Sequence, residues 1–276
     1  MPKAQPILLS LALLASAAHA TEPEFAKLNT SDAGVIDPGA VEVCVAYDFC
    51  EARKSFADDR HTVDRQRLTE HVMSVGLTAG VSAGLDVAAG LGYTRARDRE
   101  ANPAEASGIT DLALSGRWRL AGTDAWAVAL LPALLLPIGT EASDGNAGTT
   151  QGYTSAGISL LYQRALGPLP ANLEAGYTIG MGSGAEEYEG TATVNLAIGW
   201  QAAPGVLPIV EANWSRDSFA GASSSAMALT VGVLFPTENA GRFQLGASPV
   251  VAGRNTDAGI ACQFSWVREF SPRGVR

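Results

Sequence analysis

Through most of this chain apolar residues recur at every second position, with small or polar residues between them. In residues 85–93, Leu85, Val87, Ala89, Leu91 and Tyr93 share one face, and Asp86, Ala88, Gly90 and Gly92 share the other. Side chains alternate faces in a strand and recur every 3.6 residues in a helix, so this pattern specifies strands with one apolar face. The split returns with Leu112, Leu114, Trp118 and Leu120 against Asp111, Ser115, Arg117 and Arg119. It returns again with Leu173, Tyr177, Ile179 and Met181 against Glu174, Thr178 and Gly180. The longest apolar run, 125–139, contains Pro132 and Pro137 and falls short of the ~20 residues that a spanning helix needs. The chain is therefore all-β.

A soluble sandwich would turn such apolar faces inward, with no preferred height for its aromatic residues. Here Trp118, Trp126, Trp200, Trp214 and Trp266 all sit toward the ends of apolar stripes, as a membrane girdle requires. Twelve alternating segments run from 40–50 and 64–77, through 83–95, 108–120 and 125–139, to 241–252 and 257–270. An even number suits a closed single-chain barrel, and closure leaves no unpaired sheet edge in lipid. Connections after the odd segments read as long and polar, such as 51–63 and 96–107, and those after the even ones as tight, such as 122–124. The expectation is a transmembrane antiparallel β-barrel of about 12 strands with loops on one rim, turns on the other, and periplasmic termini. Within one stripe, Trp126, Val128, Leu130, Pro132, Leu134, Leu136 and Ile138 should face lipid.

The ends have their own character. Residues 1–20 read as a signal peptide, with Lys3, an apolar stretch and the small-x-small site Ala18-His19-Ala20. Residues 21–39 lack alternation and should lie in the periplasm or fold into the lumen as a partial plug. The barrel spans 40–270, and 271–276 form a C-terminal tail. Export would permit a disulfide. Cys44 and Cys50 stand about 20 Å apart along one strand face at ~3.3 Å per residue, and Cys262 falls on the opposite face by parity, so no bridge is expected unless the first strand ends near Asp48, which the sequence leaves open.

With 19 Lys+Arg against 28 Asp+Glu, a net charge of −9, the chain lacks the basic surface that nucleic-acid binding requires. Parity turns the acids Asp86, Asp111, Glu174, Glu211 and Glu269 inward together with Arg117, Arg119 and Arg242. Both signs around a low-dielectric lumen set which solutes pass. His61 and His71 adjoin no nucleophile motif, the cysteines and histidines lack zinc spacing, and no cofactor is implied.

The run 75–80 leading into 85–93, then Gly108-Ile109-Thr110-Asp111-Leu112, then Leu135-Leu136-Pro137-Ile138-Gly139-Thr140, resembles the bacterial outer-membrane transporter family named for the meta-pathway of phenol degradation. The resemblance carries over Gly108, Asp111, Pro137 and Gly139, and implies a barrel that passes small, often aromatic, compounds. The expected function is a passive outer-membrane channel for small solutes. The alternatives are a plugged structural or adhesive barrel and, third, a barrel hydrolase. Expected partners are outer-membrane lipid, the solute itself, and the barrel assembly machinery through a last strand ending at Phe270. The sequence leaves the oligomeric state open.

Overall fold

The computed structural model describes residues 28–271 apart from 124, 167–168, 183 and 238–240. The expected signal peptide, residues 21–27 and residues 272–276 of the tail lie outside the described residues. Thirteen strands follow one another: β1 (Val41–Phe56), β2 (Thr62–Ser82), β3 (Leu85–Asp98), β4 (Glu105–Ile109), β5 (Leu112–Thr123), β6 (Trp126–Leu136) and β7 (Thr154–Leu166). They continue as β8 (Leu169–Met181), β9 (Tyr188–Gly199), β10 (Leu207–Phe219), β11 (Ala222–Thr237), β12 (Gly241–Arg254) and β13 (Thr256–Phe270). Among the described residues there is no helix.

Each strand pairs antiparallel with its sequence neighbours, and β1 closes the ring against β13 from Val41↔Phe270 to Phe56↔Thr256. β4 and β5 both lie along β3, through Tyr93↔Ile109 above and Leu85↔Trp118 below. They are two halves of one stave broken at Thr110-Asp111, so the wall is a closed barrel of twelve staves. Both ends of the sheet share a rim with the tight turn at 83–84, hereafter the turn rim. The opposite, loop rim carries 137–153.

The loop rim corrects the expected alternation of long and short connections. Residues 51–56 and 62–63 continue β1 and β2, and 96–98 with 105–107 continue β3 and β4, leaving only 57–61 and 99–104 between strands. Polarity does not end a ladder whose outward residues pair with one another, and here Arg67 meets Glu51 and Arg97 meets Glu105. Connections at 220–221 and at Asn255 are tight where long ones were expected, and 200–206 is longer than expected. The one extended loop follows Pro137. A proline donates no ladder hydrogen bond, so β6 stops at Leu136 instead of reaching 139.

The outer wall is a belt of large exposed apolar side chains, including Met73 (61% exposed), Leu77 and Leu160. Trp118, Trp126 and Trp200 stand on it near the turn rim. Such a surface is tolerable only in an apolar medium. Inside, the apolar clusters are small: Leu28 with Leu207, Ile209 and Leu234, and Ala33 with Ala127, Ala129 and Leu161. Both clusters are built on the segment preceding β1.

Candidate functional site

That segment, residues 28–40, is a strap across the barrel interior. Its sequence, rich in Asn, Thr, Ser, Asp and Gly, has no period-two pattern and offers no strand face. Asp37-Pro38-Gly39-Ala40 turns the chain into β1, with the Ala40 N–H donating to the Asp37 carbonyl (3.0 Å) and Gly39 at φ 80°. Proline then glycine at the two central positions is the type II pattern.

Buried backbone N–H groups outside a ladder need acceptors. The inner wall supplies them. The Leu28 and Asn29 N–H groups donate to the two carboxylate oxygens of Glu211 at 2.5 and 2.8 Å. The Ser31 N–H donates to Glu174 (2.9 Å), the Ala33 N–H to the Gln163 side-chain oxygen (3.0 Å), and the Ile36 N–H to Asp86 (3.3 Å). Arg117, 2% exposed, bridges the strap to the wall. It donates to Asp32 at 2.5 Å and to Asp86 at 2.9 Å. The anchors lie on β3, β5, β7, β8 and β10, so the strap spans much of the cross-section.

A second assembly sits at the broken stave. Asp111 accepts from the Gly139 N–H with one oxygen and from the Gln151 N–H with the other, both at 3.0 Å. The Ile109 N–H donates to the Thr140 hydroxyl, and the Asn146 side chain pairs with both backbone groups of Ser107. The loop thus serves β4 as the partner that β6 no longer provides. Close packing here requires glycine. A Cβ on Gly108, whose φ is 152°, would lie 2.0 Å from the Thr140 hydroxyl, and one on Gly139 would lie 2.8 Å from Asp111. Gly108, Asp111 and Gly139, from two separate sequence segments, therefore meet in one joint, with Pro137 two residues before Gly139.

Above the strap, toward the loop rim, buried apolar side chains lie on both sides of the inner wall, with Glu70 between two of those on β2. Tyr188 lies between Tyr153 and Phe219, with ring centroids 5.5 and 5.7 Å away. Phe56, Leu68 and Val72 are buried on the β1–β2 side. Burial pushes the Tyr153 phenol up to about 12, so it stays neutral. Asp217, beside the aromatic trio, accepts from Thr191 and Ser224.

No protein-family model matches the sequence, and no curated protein matches it. Among solved structures, an outer membrane channel from Pseudomonas putida F1 is similar at TM-score 0.72 and 17% identity, over 87% of this chain and 98% of that one. The fold is that of an outer-membrane barrel. The monoaromatic hydrocarbon channel CymD is similar at TM-score 0.50 and 9% identity, over 87% and 90% of the two chains. The translocator domain of the autotransporter NalP from Neisseria meningitidis is similar at TM-score 0.50 and 11% identity, over 85% and 90%. At such identities the likeness carries architecture, and chemistry must be read from the residues.

Of the eight charged residues assigned inward by parity, the structure brings Asp86, Arg117, Glu174 and Glu211 onto the strap. Asp111 is buried in the stave joint. Arg119 reaches the Thr123 carbonyl beside the turn rim (3.4 Å). Glu269 pairs in register with the buried Glu42, and Arg242 with Val267, also near that rim. The sequence reading missed Asp32 and Gln163. Asp32 lies where there is no periodicity to assign it, whereas Gln163 shares the parity of the inward Leu161 and was legible as a polar group on that face. Cys44 and Cys50 are buried, Cys262 is exposed, and all three are free. His71 points outward, its Nδ1 2.8 Å from the Tyr47 hydroxyl, and His61 is exposed.

Proposed function

We propose that this protein is an outer-membrane channel for passive uptake of small hydrophobic solutes, aromatic ones among them. The observation that carries the reading is the aromatic cluster near the loop rim, where Tyr188 lies between Tyr153 and Phe219 above the strap. A flat apolar solute desolvates favourably against such rings and stacks on them. Below it, Arg117 and four carboxylates are already engaged, so the polar inner face holds the strap instead of lining a broad water-filled pore. The broader architecture and the resemblance around Gly108, Asp111, Pro137 and Gly139 support the same reading.

The test uses the purified protein and a fluorescent naphthalene probe. Monoaromatic hydrocarbons should displace the probe and monosaccharides should not. Tyr188→Ser and Phe219→Ser should each weaken the probe several-fold, and liposomes carrying the protein should swell slowly in sugars. Rapid swelling in sugars, together with probe binding indifferent to both substitutions, would show a hydrophilic pore instead.

A further inference from the structure

The outer face of β1–β3 changes character within three successive cross-strand rows. Tyr47, Met73 and Tyr93 form the first, at the upper edge of the apolar belt. Phe49, His71 and Arg95 form the second, and Glu51, Thr69 and Arg97 the third. Arg53 and Arg67 stand beside the third row and share the single carboxylate of Glu51 at 2.6 and 2.7 Å. Arg97 is 3.7 Å from Glu105. Arg95 has no ion-pair partner among the described residues. Four guanidiniums and an imidazole thus face out against two carboxylates, in a chain whose net charge is −9. These arginines stand together immediately above the belt.

Beside it the belt is hollowed. Ala247 and Cys262, which pair with each other and, through Cys262, with Phe49, are small outward side chains among larger ones. Tyr47, Phe49, Val231, Leu245 and Phe264 rise around them, leaving a groove of about 460 Å³ that is open on one side. An apolar groove facing a bilayer takes a hydrocarbon chain. The row Ala247, Cys262 and Phe49 continues through His71 to Arg95, so the guanidiniums adjoin the groove, and guanidinium recognises phosphate oxygens in bidentate fashion.

We propose that the outer face of β1–β3, with the groove of β1 and β11–β13, binds a phosphorylated, multiply acylated lipid of the outer leaflet. Its phosphates lie on Arg95, Arg97 and Arg67, and an acyl chain lies over Ala247 and Cys262. The assignment of leaflet rests on the outer-membrane reading above. The occupancy itself is independent of what passes through the lumen.

The experiment places the full chain in nanodiscs of zwitterionic phosphatidylcholine and titrates in bis-phosphorylated lipid A or its enzymatically dephosphorylated form, with bound lipid read by native mass spectrometry. The phosphorylated form should bind about tenfold tighter or more. The double variant Arg95→Gln/Arg97→Gln should lose that preference, while Arg216→Gln, outward on β10 at the far wall, should keep it. Ala247→Phe, which fills the groove, should weaken both lipid forms alike. Equal binding of the two forms by the unaltered protein, a preference that survives the double variant, or full competition by inorganic phosphate would each overturn the site. Naphthalene binding at the aromatic cluster, measured on the same samples, reports separately on the channel reading. Arg95 and Arg97 are exposed, and heat-modifiable electrophoretic mobility verifies that each variant is a folded barrel.

Discussion

Replacing Arg117 by methionine should release the strap. Five strap N–H groups donate to carboxylates, that of Thr30 at 3.5 Å, and one to Gln163. At about 1.5–3 kcal/mol for each bond to a carboxylate and ~1 for the neutral one, these contribute roughly 8–16 kcal/mol. Ordering residues 28–36 costs about 9–18 kcal/mol at ~1–2 per residue. The two sides nearly cancel, and burial of Leu28, Ala33 and Ile36 adds only a few kcal/mol. The Asp32–Arg117–Asp86 bridge therefore decides the balance. Arg117→Met leaves two carboxylates buried without a cation, a loss of about 3–5 kcal/mol. At about 1.4 kcal/mol per tenfold, the ratio of docked to undocked strap falls by two to three and a half powers of ten. Single-channel recording in planar bilayers should show raised mean conductance or frequent large openings, and Asp32→Asn in the same background should partly restore the closed level. A folded Arg117→Met barrel with unaltered conductance would refute the reasoning, because the strap would then be held by something other than this bridge.

Asp111→Asn keeps one acceptor and loses the other, so hydrogen exchange in 137–153 should quicken, at a cost of about 1–3 kcal/mol. Exchange as slow as in the unaltered protein would remove Asp111 from the joint. Leu160→Arg puts a cation on the lipid face midway along β7 and should cost about 2–4 kcal/mol in reversible unfolding from vesicles, whereas Gln163→Glu on the inner face should spare the belt. Hydrogen bonds from Arg254 and then Asn255 hold the Asp58 carboxyl below its usual range. A depressed folded pKa gives a tether that is complete above the unfolded aspartate value of about 3.9 and lost only as pH falls through the lower folded one. A spin label at Asp59→Cys should accordingly stay immobile from pH 7 to 5 and loosen only in stronger acid, and loosening already at pH 5 would contradict the pairing.

The staves were legible because membrane strands obey a single rule, alternation, over their whole length. The parity of Asp86, Arg117, Glu174 and Glu211 followed from it directly. What parity cannot show is what meets those side chains inside, and the strap, having no period of its own, gave no address for Asp32. The rim was misjudged at 51–63 and 96–107 because polar composition there signals exposure to water, which an extended sheet tolerates as well as a loop does. Pro137 carried the opposite information and marks where β6 ends, although Pro132 stands inside the same strand without ending it. The joint of Gly108, Asp111 and Gly139 was visible only as a resemblance between segments about thirty residues apart, since the hydrogen bonds that unite them exist only once β4 and the loop are side by side.

The strap also bears on the order of assembly. Leu28 and its acceptor Glu211 are 183 residues apart in sequence, and the β1–β13 seam joins the two extremes of the sheet. Contacts of such high order form late, because the intervening chain must be placed before they gain anything from it. Leu28 and its neighbours thus acquire their binding groups on Glu211 late, when β10 has arrived. The seats on β3 and β5 exist earlier, so full docking of the strap records that the wall from β3 to β10 is in place.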